Sequence, residues 1–135
     1  MARPQLATVN ENPAREAVVI TLPFPVSVNA LYSNGKSGRF KSPRYEAWLT
    51  EAGYALMVQR PAKIKGPVTL SYEVQDGSDG RRRDLGNLEK CATDLLVAHG
   101  IIEGDHDQIV REINLRWCRN VSGIRVTITP VKEAA

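Results

Sequence analysis

Four stretches of this chain alternate apolar and polar residues with a period of two, and nothing else in the sequence constrains the fold as strongly. Val18, Ile20 and Leu22 make the first, and Val68, Leu70, Tyr72 and Val74 the second. Ile113, Leu115 and Trp117 make the third, and Ile124, Val126 and Ile128 the fourth. Successive side chains of a strand point to opposite faces, so each stretch reads as a strand with one buried and one solvated face. Strands of an all-parallel sheet, covered on both sides, would instead read as continuous apolar runs. The turn residues from Asn120 to Gly123 join the last two stretches, which predicts that they pair as a hairpin.

Between the strands lie two segments of helical period. Ser42 followed by Pro43 is a helix start, a side-chain cap and then the residue best tolerated in the first turn. Tyr45, Trp48, Leu49, Ala52, Ala55 and Leu56 follow at three- and four-residue spacing, so a helix should run to about Gln59, with Trp48 in the core. A second helix is predicted from Asp84, as its cap, to a closing Gly100. Its apolar face gathers Leu85, Leu88, Ala92, Leu95, Leu96 and His99. Asn87, Lys90 and Asp94 share the polar face, with Asp84 at its edge. Residues 29–41 and 76–80 are rich in Gly, Ser, Asn and Asp and read as loops.

The order strand, helix, strand, helix, strand, strand predicts an α+β fold. A single domain with a mixed, largely antiparallel sheet and two main helices on one face should span residues 17–131. Residues 1–16 show no periodicity, contain two prolines and read as a flexible leader. A length of 135 residues suits one core. Hydrophobic content of 42% with 24% charge excludes a disordered or fibrous chain. No window approaches the ~20 apolar residues of a membrane span, and the start lacks a signal-peptide pattern, so a cytoplasmic protein without a membrane partner is expected. Cys91 and Cys118 are too few for a disulfide framework and read as buried thiols.

The net charge is only +3, so its distribution matters more than its total. Basic residues cluster in Lys36, Arg39, Lys41 and Arg44, in Arg81, Arg82 and Arg83, and in Arg111, Arg116 and Arg119. Four of the fifteen acids fall between Glu103 and Glu112. A basic surface with one acidic hollow suits an enzyme that binds a polyanion and cuts it with a metal ion. Hydrolysing a phosphodiester requires a nucleophilic water and a stabilised leaving oxygen, and magnesium held by carboxylates supplies both. Asp84 is the first carboxylate candidate, with capping as its structural alternative. Lys90 is placed to neutralise charge in the transition state, and Asp94 to pair with Lys90. Glu103, Asp105 and Asp107, with His106 among them, supply further oxygen donors. Nucleophilic triads, glycine-rich phosphate loops and zinc spacings are absent from the sequence.

Leu22-Pro23-Phe24-Pro25, then Asn29, then the run from Arg82 to Lys90, then Asp94 to Gly100 and a loop of paired aspartates follow in that order. In order and spacing the chain resembles the RusA family of Holliday junction resolvases, whose signature reads Arg-Arg-Asp-Leu-Asp-Asn-x-x-Lys. The resemblance covers nearly all of residues 17–130. It implies a homodimer that binds four-way or branched DNA and nicks opposed strands in recombination and repair, in bacteria or their prophages, with magnesium as cofactor. Carried over, Asp84 matches the first metal-binding aspartate and Lys90 the catalytic lysine. Gly104-Asp105-His106-Asp107 carries one residue more than the family's usual loop before Gln108-Ile109, so Asp105 is the best counterpart of the loop aspartate by distance from Gly100, and Asp107 gains if the extra residue lies earlier. Catalysis is thus expected from Asp84, Lys90 and Asp105, and metal ligation from Asp84, Asp105, Asp107 and Glu103. DNA contacts are expected from Arg81, Arg82, Arg83, Asn87, Lys36, Arg39 and Lys41. One departure stands out: Gly86 occupies the place of the second aspartate. A catalytically weakened junction-binding protein of the same fold is therefore the alternative. A third option, a small RNA-binding or ribosome-associated α/β domain, leaves the acid cluster unexplained.

Overall fold

The computed structural model describes residues 16–132 apart from Ser78. Residues 1–15 of the expected leader thus lie outside the described residues. The most buried strand, β4 (Val68–Gln75), lies inside the sheet, with the residues of one face packed into the core. The β6 strand (Ile124–Pro130) runs antiparallel along one edge of β4, and β1 (Val18–Leu22) runs antiparallel along the far side of β6. On the other edge, β5 (Val110–Cys118) lies parallel to β4, giving the order β1-β6-β4-β5.

The last two strands therefore do not form the expected hairpin: they flank β4 instead of pairing with each other. Residues 119–123 carry the chain across the end of β4. There the Gln75 amide donates to the Gly123 carbonyl, the Asp76 amide donates to Cys118, and the Gln75 Oε1 accepts from the Gly123 amide. Both edges of β4 are hydrogen-bonded in this arrangement, to β5 on one side and β6 on the other.

One face of the sheet is apolar. Ile20, Leu22, Val68, Leu70, Tyr72, Val74, Ile124, Val126 and Ile128 pack there in one cluster with residues of both helices. Helix α1 (Pro43–Gln59) contributes Tyr45, Trp48, Ala52 and Leu56. Its start is capped as expected, with the Ser42 hydroxyl accepting from the Tyr45 amide at 3.1 Å. Trp48 is 4% exposed and donates its indole N–H to the Pro23 carbonyl, so truncating it to alanine costs about 3–5 kcal/mol. Helix α2 (Lys90–Ala98) contributes Cys91, Ala92, Leu95 and Leu96.

Three further expectations change. The second helix does not begin at Asp84: a 3₁₀ turn covers Leu85–Asn87 and the α-helix starts at Lys90. Gly86 and Asn87 are weak helix formers, and the tighter turn sinks Leu88 into the core at 2% exposure. The helix also ends before the expected Gly100, at Ala98, so His99 is its exposed C-cap and leaves the apolar face, while Cys118 is only partly buried. Within the stretch read as a loop, β2 (Tyr32–Gly35) and β3 (Gly38–Lys41) pair antiparallel as a separate two-stranded sheet. Their glycines and serines mask the strand signal, and Gly38, at φ 115°, closes the two-residue connection.

On the polar face of the sheet, Glu73 reaches from β4 to both neighbours. It accepts from Arg116 on β5 and from Arg125 Nε, at 2.8 Å, on β6. These two guanidinium groups hold its carboxyl below the usual carboxylate range.

Candidate active site

The loop after β4 is organised by one carboxylate. Asp79 accepts from Arg83 Nη1 at 3.2 Å and Nη2 at 2.9 Å, and from the Arg81 amide at 3.0 Å. The Arg83 fork and that amide hold the Asp79 carboxyl down at about 2. The Arg83 guanidinium also lies 4.9 Å from the centre of the Phe24 ring. Arg83 is therefore tied into the fold, whereas Arg81 and Arg82 are exposed.

Asp84 follows in extended conformation, with φ −92° and ψ 116°, and its side chain makes no capping hydrogen bond. Capping does not account for this residue. It is exposed and lines a hollow of about 320 Å³ together with Phe24, Pro25, Asn29, Arg44, Arg81, Arg82 and Asn87. Two motifs some sixty residues apart in the chain thereby meet: the Phe24-Pro25 and Asn29 segment forms one wall, and the arginine-rich run forms the other. Gly86, at the position lacking a carboxylate, is exposed, and an added Cβ would meet nothing within 4 Å.

Lys90 opens helix α2. Its Nζ lies 3.1 Å from Asp94 Oδ1 and 3.7 Å from Asp105 Oδ2. The hydrogen bond that Lys90 donates to Asp94, reinforced by the charges of Asp94, Asp105 and Glu89, raises the lysine's pKa, so it stays protonated at neutral pH. Asp105 is delivered by the chain reversal after the helix. Gly100, at φ 69°, allows that turn, and Ile101 and Ile102 anchor it in the core at 3% and 1% exposure.

The other acids of this loop make no ion pair with Lys90. Glu103 Oε1 accepts from the Gly66 amide at 2.8 Å, which ties the loop to the residues before β4. Asp107 is exposed and its carbonyl accepts from Arg111. His106 Nδ1 accepts from the Gln108 amide at 3.3 Å, and its ring lies against Gly104. Lys36, Arg39 and Lys41 are exposed on the β2–β3 hairpin.

Two residues, Arg44 of the first basic cluster and Glu89, received no site role from the sequence. Arg44, on the first turn of α1, adds a fourth guanidinium to the hollow's lining; its place beside Asn29 follows from the β2–β3 excursion that separates them in sequence. Glu89 is fixed by Thr93, whose hydroxyl bonds both the Glu89 carboxylate and, at 2.6 Å, the buried Tyr72 hydroxyl. Only the four-residue spacing of Glu89 and Thr93 hinted at this.

Among the described residues, no three of His, Cys, Asp and Glu converge where they would hold a metal ion. Asp84 and Asp105 are hard oxygen donors of the kind magnesium takes. That ion commonly binds through one or two carboxylates with water and phosphate oxygens completing its shell. The donor chemistry suits an ion shared with a nucleic-acid backbone, not a cage complete without one.

The sequence from residue 23 to residue 129 matches the family model described as Endodeoxyribonuclease RusA. This chain belongs to the RusA endodeoxyribonuclease family. The RusA match takes in both walls of the hollow and the whole lysine cluster, and membership implies Holliday junction resolvase activity. No curated protein matches the sequence. No helix among the described residues is long and apolar enough to cross a membrane.

Proposed function

We propose that this RusA-family protein is a magnesium-dependent, structure-selective endodeoxyribonuclease that resolves four-way or branched DNA in recombination and repair, acting as a homodimer. The observation that carries this reading is Asp84, an exposed carboxylate free of any capping bond, in a hollow whose lining includes Arg44, Arg81 and Arg82. Four arginines around one carboxylate leave the hollow with excess positive charge, which suits a phosphodiester. The guanidinium groups attract the backbone and the acid acts on it.

Asp84 and Asp105 are the carboxylates that would hold magnesium, with Asp107 next along the same loop. Glu103 is a weaker candidate because its carboxylate is engaged by the Gly66 amide. When bound, the ion polarises a phosphoryl oxygen and lowers the pKa of a bound water. Lys90, kept protonated by Asp94, provides fixed positive charge for the negative charge that develops on the phosphoryl oxygens. Arg81, Arg82 and Asn87, with Lys36, Arg39 and Lys41 of the hairpin, bind and orient the strand. A two-fold dimer presents two such hollows to opposed strands, which suits symmetric nicking.

Gly86 favours a second reading, in which the protein binds junctions and cuts them weakly, because the run offers one carboxylate where the signature offers two. Asp84→Asn tests the first. If Asp84 is catalytic, the variant binds a synthetic four-way junction as the wild type does in gel-shift titration, while its nicking rate falls by a factor of ~100 or more. Equal nicking by both proteins would remove Asp84 from the chemistry.

A further inference from the structure

The β2–β3 hairpin stands apart from the main sheet, and every residue from Tyr32 to Lys41 except Ser33 is exposed. Its root adjoins the Asp84 hollow: Asn29, just before β2, and Arg44, just after β3, both line that hollow. The hairpin carries Lys36, Arg39 and Lys41 and no acid, so its charge is complementary to a polyanion along its whole length.

Cross-strand register gives the hairpin two unlike faces. Tyr32 pairs with Lys41 and Asn34 with Arg39 on one face, while Ser33 pairs with Phe40 and Gly35 with Gly38 on the other. The first face is anchored, since Tyr32 meets the Tyr45 ring edge-on at 5.9 Å and Arg39 lies 4.3 Å over Tyr32. The second face bears a single large side chain. Phe40 is 50% exposed, and its ring lies so close to Gly35 that an added Cβ there would come within 2.9 Å of it. An added Cβ at Gly38 would meet nothing within 4 Å. An aromatic ring is thus held out over glycine backbone, with its sequence neighbours Arg39 and Lys41 on the opposite face of the hairpin. Nucleic-acid surfaces that receive unpaired bases combine such aromatic stacking groups with cations along the backbone.

We propose that Phe40 stacks on a base face left unstacked at a DNA branch point while Lys36, Arg39 and Lys41 hold the adjoining phosphates, so that the hairpin distinguishes branched from linear DNA. The proposal rests on the branched-DNA reading above and adds the residue that selects the structure. Linear duplex buries both faces of every internal base, so Phe40 gains nothing there. A role confined to covering Gly35 would be filled equally well by leucine.

The test uses the full chain in chelator, where no cutting intervenes, with wild type, Phe40→Leu and Phe40→Tyr. The probes are a four-way junction carrying 2-aminopurine at the branch point and a linear duplex of the same sequence. Wild type and Phe40→Tyr should prefer the junction and change its fluorescence. Phe40→Leu should bind the junction about tenfold more weakly, the loss expected for one stacking contact, keep its duplex affinity and leave the fluorescence unchanged. The retained duplex affinity shows that the variant is folded. In wild type, 5-iodouracil at the branch point should cross-link on irradiation to the peptide containing Phe40. A Phe40→Leu protein that matches wild type in preference and fluorescence, or cross-links that avoid that peptide, would overturn the role of Phe40 alone. A wild type that does not prefer the junction would overturn the branched-DNA reading and the role of Phe40 with it.

Discussion

Gly86 and Gly123 are both glycines in turns near the hollow, yet the space around them assigns them opposite tolerances. At Gly86 a side chain enters open solvent, so Gly86→Asp should change stability by less than ~0.5 kcal/mol. In the nuclease reading it also restores the carboxylate that the signature carries, so magnesium should support nicking at lower concentration than in wild type. Titration of nicking rate against magnesium checks this; an unchanged or weaker dependence would show that the position does not face the ion. At Gly123, with φ 74°, a Cβ would fall 2.2 Å from the Leu22 carbonyl oxygen. Gly123→Ala should therefore destabilise the fold by about 2–4 kcal/mol, measured by chemical denaturation. The same contrast bears on what residue-level reading can achieve. The absent carboxylate at position 86 was visible in the sequence; the freedom of Asp84 from a capping role was not, because that depends on where the helix actually starts.

Elements whose pattern repeats over several residues were legible, and those decided by partners were not. The alternation in β1, β4 and β6 and the spacing in α1 located these elements to within a residue or two. The pairing of β5 with β4 was hidden because alternation specifies a buried face but no neighbour. The hairpin was hidden because glycine and serine weaken its strand signal while cross-strand pairing and Tyr45 supply the order. Glu73 shows how the three strands β5, β4 and β6 are held in register on the polar face. Its carboxyl is depressed by Arg116 and Arg125, so it contributes stability above the ordinary carboxylate pKa of about 4.3, and that contribution is lost as pH falls through the lower folded value. Glu73→Gln should lose about 1–2 kcal/mol at pH 7, Arg116 adding little because it is largely in water. Its stability should also fall less steeply than that of wild type below pH 4.5. Thermal denaturation across pH 3–7 would show this, and parallel curves would mean that Glu73 keeps an ordinary pKa.

At the scale of the molecule, the sheet and helices act as a scaffold that brings four short segments to one side. The Phe24-Pro25 turn, the first turn of α1, the arginine loop and the 3₁₀ turn line one hollow, while Asp105 returns to Lys90, two residues along the chain from the hollow's Leu88. The order of these segments in the chain pointed to the family, but their convergence and the unequal use of Glu103, Asp105 and Asp107 required coordinates. Binding through so many cations should be strongly salt-dependent: a slope of log affinity against log salt near −4 to −6 is expected for ~5–7 neutralised phosphates on duplex arms, and Arg82→Ala should reduce its magnitude by about 1. The central claim is that this arrangement cuts branched DNA. It is tested most directly by end-labelling each strand of a four-way junction in turn and mapping the products formed with magnesium. Paired nicks at matching positions in opposed strands, absent with chelator, absent on linear duplex and absent with Asp84→Asn, are the predicted result. Junction binding without nicks in any divalent metal would contradict it and leave a binding protein in place of a nuclease.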